Sequence, residues 1–298
     1  MADPRAIDSP FILGMRNLHL RPELDTPSTL ADWIEQRVDE GLHWFDHADM
    51  YGDGSRMGDA EARFGEALAL RPALKKKVGV IAKTSIIPAT LDTSPFAVKH
   101  YNSSPDYLTR SIDNSLKRLG IERLDHLLLH RPDPLLDPEA TARALENAVN
   151  AGKVGAIGVS NHLPAQWRRL QAALSTPLML NQFELSIARS AALFDGRWDA
   201  SCQDKLQAVA YSPLFGGRLF EGALVKEMLY QLAEQHGLSP AGIALAWLTR
   251  VPGKPTAIVG SLRSARIQAL LEDAAKPFTL ERTAWFALLE SARAHRVL

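Results

Sequence analysis

The 298-residue sequence holds a single cysteine, Cys202, so an internal disulfide is excluded and a reducing compartment fits. No apolar run approaches the ~18 residues that a membrane helix needs. The opening stretch, "MADPRAIDSP", is polar and lacks the apolar centre of a secretory signal. Neither sign of charge is in excess, since Lys plus Arg and Asp plus Glu both number 34. That balance supplies no basic surface for nucleic acid and no acidic tail. No internal repeat, low-complexity stretch or domain linker stands out. No GxGxxG follows an early strand, which speaks against a doubly wound nucleotide-binding sheet. These absences leave a cytoplasmic globular protein as the expectation. Its apolar content of 46% suffices for a sizeable core.

What the chain does have is alternation. Eight short apolar runs occur: "FILGM" (11–15), "LHWFDHA" (42–48), "VGVIAKT" (78–84), "LDHLLLH" (124–130), "VGAIGVS" (154–160), "LMLNQ" (178–182), "LQAVAYS" (206–212) and "TAIVGS" (256–261). Helix-like segments lie between most of them, near 28–40, 58–70, 105–119, 137–151, 164–174 and 222–236, with 264–273 after the last. Caps support three of these. Ser28 opens the first, with Gly41 past its end. Pro105 and Gly120 bracket the third. Asp137 caps the fourth, with Pro138 at its first turn and Gly152 beyond it. Eight strand–helix units in one chain predict a (β/α)8 barrel, a single domain over 1–298, with a doubly wound sheet as runner-up. Two stretches fit less well. The segment 184–205 has no clean helical period, and 85–104 reads as a long loop rich in Ser, Thr and Pro.

In such a barrel, chemistry sits where the strands end. The predicted strand ends are Asp46, Lys83, His130, Ser160 with Asn161, Gln182 and Tyr211. Side chains alternate along a strand, so Trp44 shares a face with Asp46, Ile81 with Lys83, and Leu128 with His130. If those faces line the barrel, Asp46, Lys83 and His130 converge at its mouth. His47 then points the other way, which weakens any metal site combining it with Asp46. Asp49 lies beyond the strand, where parity decides nothing.

These residue types make a device for protonating an oxyanion. Tyr51 is far enough past Asp46 to fold back over the mouth. Its phenol, with an unperturbed pKa of about 10, becomes a better acid beside an ammonium. Lys83 supplies the ammonium, Asp46 its counter-charge, and His130 a hydrogen bond to a substrate oxygen. An oxyanion arises when hydride adds to a carbonyl, and the hydride comes from a cofactor. Ser160, Asn161 and Gln182 suit a nicotinamide carboxamide, and Tyr211 offers a stacking face. Ser261, Arg263 and Arg266 open a helix that suits a phosphate.

The whole pattern resembles the aldo-keto reductase family, and within it the bacterial aldo/keto oxidoreductases. The motifs "GLHWFDHADMYG", "IAKT", "LLLHRPD", "IGVSNH", "NQFELS", "AYSPL" and "VGSLRSARI" follow one another at family-like spacing from about Phe11 to Glu272. The resemblance implies Tyr51 as proton donor, Lys83 and Asp46 as the pair that tunes it, and His130 as the group that orients the carbonyl. It implies Ser212, Pro213 and Leu214 near the pyrophosphate, and Ser261 and Arg266 at the adenosine 2′-phosphate. NADPH is the implied cofactor, with NADH the alternative, and a small carbonyl compound the implied substrate. Three departures stand out. Gly260 occupies a position where many members carry Lys, and Arg263 is the candidate replacement. The tryptophan common after the Lys strand is missing, which leaves the 85–104 loop, with Phe96 or Tyr101, to shape the pocket. Only ten residues precede Phe11, where members commonly have a hairpin. Two other readings compete. One is an NADPH-binding regulatory module with little turnover. The other is a metal-dependent hydrolase on the same barrel, using His47, Asp49, His130 or His162. Nucleic acid and membrane are not expected partners, and oligomeric state is left open.

Overall fold

The computed structural model describes residues 7–293. The first six residues of the polar opening stretch lie outside them. The strands are β1 (Phe11–Gly14), β2 (Trp44–Asp46), β3 (Gly79–Thr84), β4 (Ile86–Ile87), β5 (His100–Tyr101), β6 (Leu124–Leu129), β7 (Val154–Ser160), β8 (Leu178–Glu184), β9 (Gln207–Tyr211) and β10 (Thr256–Val259). The helices are α1 (Pro27–Asp39), α2 (Asp59–Leu70), α3 (Pro105–Leu119), α4 (Pro138–Asn150), α5 (Pro164–Ala173), α6 (Arg197–Gln203), α7 (Ala223–His236), α8 (Pro240–Thr249), α9 (Ser264–Ala274) and α10 (Arg282–Arg293). Eight strands close into a barrel in the order β1-β10-β9-β8-β7-β6-β3-β2, as the alternation predicts. All eight apolar runs contribute a strand. Among the described residues no helix is long and apolar enough to cross a membrane.

Packing divides the chain into two compact units, Met1–Asn181 and Gln182–Leu298. In the first, β1, β2, β3, β6 and β7 pair in parallel, with Asp46 opposite Ile81 and Lys83 opposite Leu128. Residues of one parity fill the interior. The Trp44 and His126 rings lie 5.5 Å apart, and a Cβ on Gly79 would sit 2.6 Å from the indole. Gly158 likewise leaves room for Leu128, whose Cδ2 would be 2.8 Å from an added Cβ. Small residues thus set the space that the large ones occupy.

The helices around these strands start where local chemistry tells them to. Asp137 accepts from the Ala140 N–H at 3.1 Å and Pro138 follows it, as expected. Ser104 caps α3 ahead of Pro105, and Gly120 ends it at φ +64°. The start of α1 is different from expectation. Thr26, not Ser28, is the cap, accepting from the Thr29 N–H at 3.1 Å. Pro27 fits the first helical position, so the boundary moves two residues toward the N-terminus.

The second unit holds helices that the sequence pattern did not reveal. Helix α6 lies inside 184–205, and it is only seven residues long. Helix α8, "PAGIALAWLT", is apolar nearly all round and so carries no amphipathic period. It is covered by α10: the Trp247 and Trp285 rings stack at 4.7 Å, and each indole N–H donates to the other residue's carbonyl. The 85–104 segment is less loop-like than expected. Strands β4 and β5 pair antiparallel within it, pairing Ile86 with Tyr101.

Candidate active site

Four of the predicted residues come together in the first unit. Asp46 ends β2, Lys83 is the penultimate residue of β3, and His130 follows β6 directly. The Lys83 Nζ lies 2.6 Å from Asp46 Oδ1, with the two side chains 0% and 4% exposed. The same Nζ stands 5.0 Å from the centre of the Tyr51 ring. Tyr51 meets His130 edge-on, with ring centres 6.0 Å apart. Tyr51 is half-buried on a turn after β2, its N–H donating to the Ala48 carbonyl at 3.0 Å.

The electrostatics separate the roles. Burial pushes the Lys83 ammonium toward its neutral form, and Asp46 opposes that push by charge and hydrogen bond. His130 is held well below the ordinary imidazole range by burial first, then by the positive charges of Lys83, Arg131, Arg16 and Lys99. At neutral pH it is an uncharged imidazole, able to give one hydrogen bond and poor as an acid. Its Nδ1 is buried without a hydrogen-bond partner. The Tyr51 ring stands beside it, edge-on at 6.0 Å.

The rest of the "FDHADMYGDG" stretch points elsewhere. His47 turns outward and meets the Phe64 ring at 4.7 Å, as parity predicts. Burial and then Lys83 lower its pKa to about 3. His162 Nδ1 donates to the Ser160 carbonyl at 2.9 Å, and burial lowers its pKa to about 4. Among the described residues no group of three or more His, Cys, Asp or Glu side chains is arranged to hold a metal ion. Asp53 caps its own turn, accepting from Ser55 N–H at 2.8 Å.

The predicted nicotinamide and phosphate residues are divided between the two units. In the first, Ser160 ends β7 and is buried, and Asn161 follows in the left-handed region at φ +63°. The Asn161 amide donates to Ser160 Oγ at 2.8 Å and to the His130 carbonyl at 3.3 Å, which fixes its direction. In the second, Gln182 is buried on β8 and Tyr211 ends β9 half-buried. Beyond it the chain passes Ser212 (φ +52°), Pro213 and Leu214 (φ −106°, ψ 18°) to Phe215 (φ +52°). The turn closes on itself, with the Phe215 N–H donating to the Ser212 carbonyl at 2.8 Å and the Gly217 N–H to the Leu214 carbonyl at 2.9 Å. Phe215 is flanked by two guanidinium groups, Arg218 at 3.8 Å and Arg189 at 4.9 Å. Sequence reasoning missed both arginines; the "FGGR" run after "AYSPL" is the only local signal for one of them. Gly260 and Ser261 lead into α9. There Arg263 is the N-cap and Arg266 sits in the first turn, both exposed and with no acidic residue in that turn. The start of α9 thus presents positive charge to solvent.

The family model described as "Aldo/keto reductase family" matches residues 10–286. The chain belongs to the aldo/keto reductase family. It is 37% identical over 296 residues to the 6-dehydroglucose reductase of Novosphingobium aromaticivorans, covering 97% of this chain and 93% of that protein. It is 36% identical over 272 residues to oxidoreductase YdhF of Escherichia coli, covering 90% and 89%. It is also similar in fold to a crystal structure of an aldo/keto reductase from Klebsiella pneumoniae in complex with NADP and acetate. That likeness has a TM-score of 0.75 at 23% identity, over 94% of this chain and 89% of that one. This aldo/keto reductase is thus an NAD(P)H-dependent oxidoreductase on an eight-stranded barrel.

Proposed function

We propose that this enzyme reduces an aldehyde or ketone to an alcohol with NADPH, Tyr51 giving the proton. The observation that carries this reading is the buried Lys83–Asp46 pair, with its ammonium 5.0 Å from the Tyr51 ring. NADPH, when bound, supplies the hydride that adds to the carbonyl carbon. As negative charge grows on the oxygen, Tyr51 releases its phenolic proton to it. Lys83 stabilises the phenolate left behind, and Asp46 keeps Lys83 charged despite burial. His130, neutral, donates a hydrogen bond that orients the oxygen. Ser160, Asn161 and Gln182 would hold the carboxamide and Tyr211 would stack on the ring. The Ser212–Leu214 turn, with Arg189 and Arg218 nearby in the same unit, would meet the pyrophosphate. Ser261, Arg263 and Arg266 would take the 2′-phosphate, and Gly260 leaves Arg263 to supply the missing cation.

The test is a spectrophotometric screen of aldehydes, ketones and oxidised sugars with NADPH and NADH in parallel. Sugars are included because two relatives, 34% and 37% identical, are named 6-dehydroglucose reductase. Turnover favouring NADPH, weakened by Arg263→Ala and Arg266→Ala with little change for NADH, is the expected result. Tight NADPH binding with no turnover on any carbonyl would sink the reductase reading in favour of a regulatory module.

A further inference from the structure

Asp49 lies between Asp46 and Tyr51 in sequence, is 1% exposed, and takes no part in the mechanism above. It is built into a polar knot behind the strand ends. Its Oδ2 accepts from Thr84 Oγ1 at 2.8 Å, Ser111 Oγ at 2.9 Å and the Tyr107 hydroxyl at 3.3 Å. The Thr84 and Ser111 hydroxyls are themselves 2.7 Å apart. The Asp49 N–H donates to the Lys83 carbonyl at 2.9 Å. One residue therefore joins the turn that carries Tyr51 to the strand that carries Lys83, and anchors both on α3. Three donors on one carboxylate oxygen are more than a loop residue needs to be soluble or to turn a corner.

We infer that Asp49 is a positioning residue for proton donation, tying the Ala48–Tyr51 turn to Thr84 and Ser111 and so holding Tyr51 in place over Lys83. This rests on the reading of Tyr51 as the proton donor. The physical reason is that proton transfer needs the phenol within hydrogen-bond reach of the carbonyl oxygen. Backbone bonds hold the turn at Tyr51, whose N–H donates to the Ala48 carbonyl at 3.0 Å and whose carbonyl accepts from the Ala60 N–H at 3.1 Å, and the Asp49 knot adds a side-chain anchor from behind. Support comes from the carboxyl's own environment. Burial and then the charge of Glu61 raise its pKa to about 7, against the hydrogen bonds of Thr84 and Ser111 and the charge of Arg118. The titratable groups facing it are Glu61 on α2, Arg118 and Tyr107 on α3, and Lys83 on β3. His47, two residues earlier, is uncharged above about pH 3. Ionisation of Asp49 strengthens the ammonium of Lys83, so the knot couples to the acid device electrically as well as mechanically.

The test compares Asp49→Ala, Asp49→Asn and Tyr51→Phe in the full chain with NADPH and one accepted carbonyl. Asp49→Ala is expected to lower kcat by ~10-fold to ~10²-fold, the scale of a misplaced catalytic group. KM and the Kd for NADPH should stay within about twofold, as befits an interaction made in the transition state. Asp49→Asn keeps the accepting oxygen and turns its amide toward the place of Oδ1, which has no partner. It should recover most of the loss and erase a step near pH 7 in the wild-type kcat profile. An unchanged kcat in Asp49→Ala overturns the inference. So does a fall in kcat that Asn does not recover and that comes with weaker NADPH binding, since that marks general damage. If Asp49→Ala does not fold, Thr84→Val with Ser111→Ala removes two of the three donors instead, and an unchanged kcat there overturns it equally. Tyr51→Phe separates the two readings. Full rate in that variant removes the proton-donor reading itself, whereas a lost rate there beside an intact Asp49→Ala removes only the role of Asp49.

Discussion

Two acidic clusters flank the same pair of strands, and burial has treated them differently. On the barrel side, Asp46 and Lys83 sit 2.6 Å apart, and each supplies the other's counter-charge. On the helix side, Asp49 has hydroxyl donors, and Arg118, which acts on it by charge, is bonded to Glu61 at Nε–Oε2 2.7 Å. Asp49 therefore drifts to about 7, and His47 on the same side drops to about 3. Burial pushes on both sides: the Asp46 carboxylate opposes the push on Lys83, whereas the hydroxyl donors around Asp49 do not outweigh the push on its carboxyl.

The comparison breaks most visibly at the barrel-side pair. Asp46→Leu or Lys83→Met alone leaves one buried charge without its partner, at a cost of about 3–5 kcal/mol. The double variant should regain most of that stability in urea melts while staying inactive in the NADPH assay. A double variant with wild-type turnover would mean the pair is architectural only.

Arg118 tests the helix side. Arg118→Met strips Glu61, whose side chain is 0% exposed, of its cation. Because burial already raises the Glu61 pKa, the carboxyl can neutralise, and the loss should be nearer 1–3 kcal/mol. Gly58 and Gly65 lie against the same arginine, and a Cβ on either would overlap it. Alanine at these positions should destabilise without removing any charge.

His47 and Asp49 should tilt the pH dependence of stability in opposite directions. His47 is depressed to about 3, so the unfolded chain binds a proton that the folded one refuses. Its contribution is present above 6.5 and is lost as pH falls toward 3. Asp49 is raised to about 7, so the folded chain holds a proton that the unfolded one releases. Its contribution is present below 3.8 and is lost as pH rises toward 7. A tenfold difference in proton affinity between the folded and unfolded chains is worth at most ~1.4 kcal/mol. His47→Leu should therefore flatten the acid limb of stability between about pH 6.5 and 4, and Asp49→Asn should steepen it. Parallel shifts in both variants would contradict the assigned protonation states.

The smallest effect is expected at the surface. Lys153 and Asp113 are also 2.6 Å apart, but 41% and 49% exposed. Asp113→Ala should cost under ~1 kcal/mol, because solvent screens the pair and both side chains lose freedom to make it. Equal distance with unequal consequence would confirm that burial, not contact, decides the weight of an ion pair here.

Most of this was legible in the sequence where a short-range rule applied. Period-two alternation placed Asp46 inward and His47 outward, and the strand ends marked Lys83 and His130 without any homologue. The apolar runs gave all eight barrel strands. What escaped had identifiable causes. Helix α8 has no polar face to set a period, and α6 is too short to show one. Thr26 took the cap from Ser28 because Pro27 favours the first helical position. Asp49 was invisible because its partners come from Thr84, Tyr107 and Ser111, 35 to 62 residues away in sequence. Arg189 and Arg218 meet only through the ring of Phe215, which no spacing rule encodes. The departure at Gly260, by contrast, was plain in the sequence.

Tyr51→Phe, assayed for kcat with NADPH and an accepted aldehyde and for NADPH affinity by fluorescence, tests the central claim most directly. Loss of the phenolic proton with the ring retained should lower kcat by about 10²–10⁴-fold while the Kd for NADPH is unchanged. A variant that turns over within about twofold of wild type would contradict the account, because the neutral imidazole of His130 is too poor an acid to take the place of Tyr51 beside the Lys83–Asp46 pair.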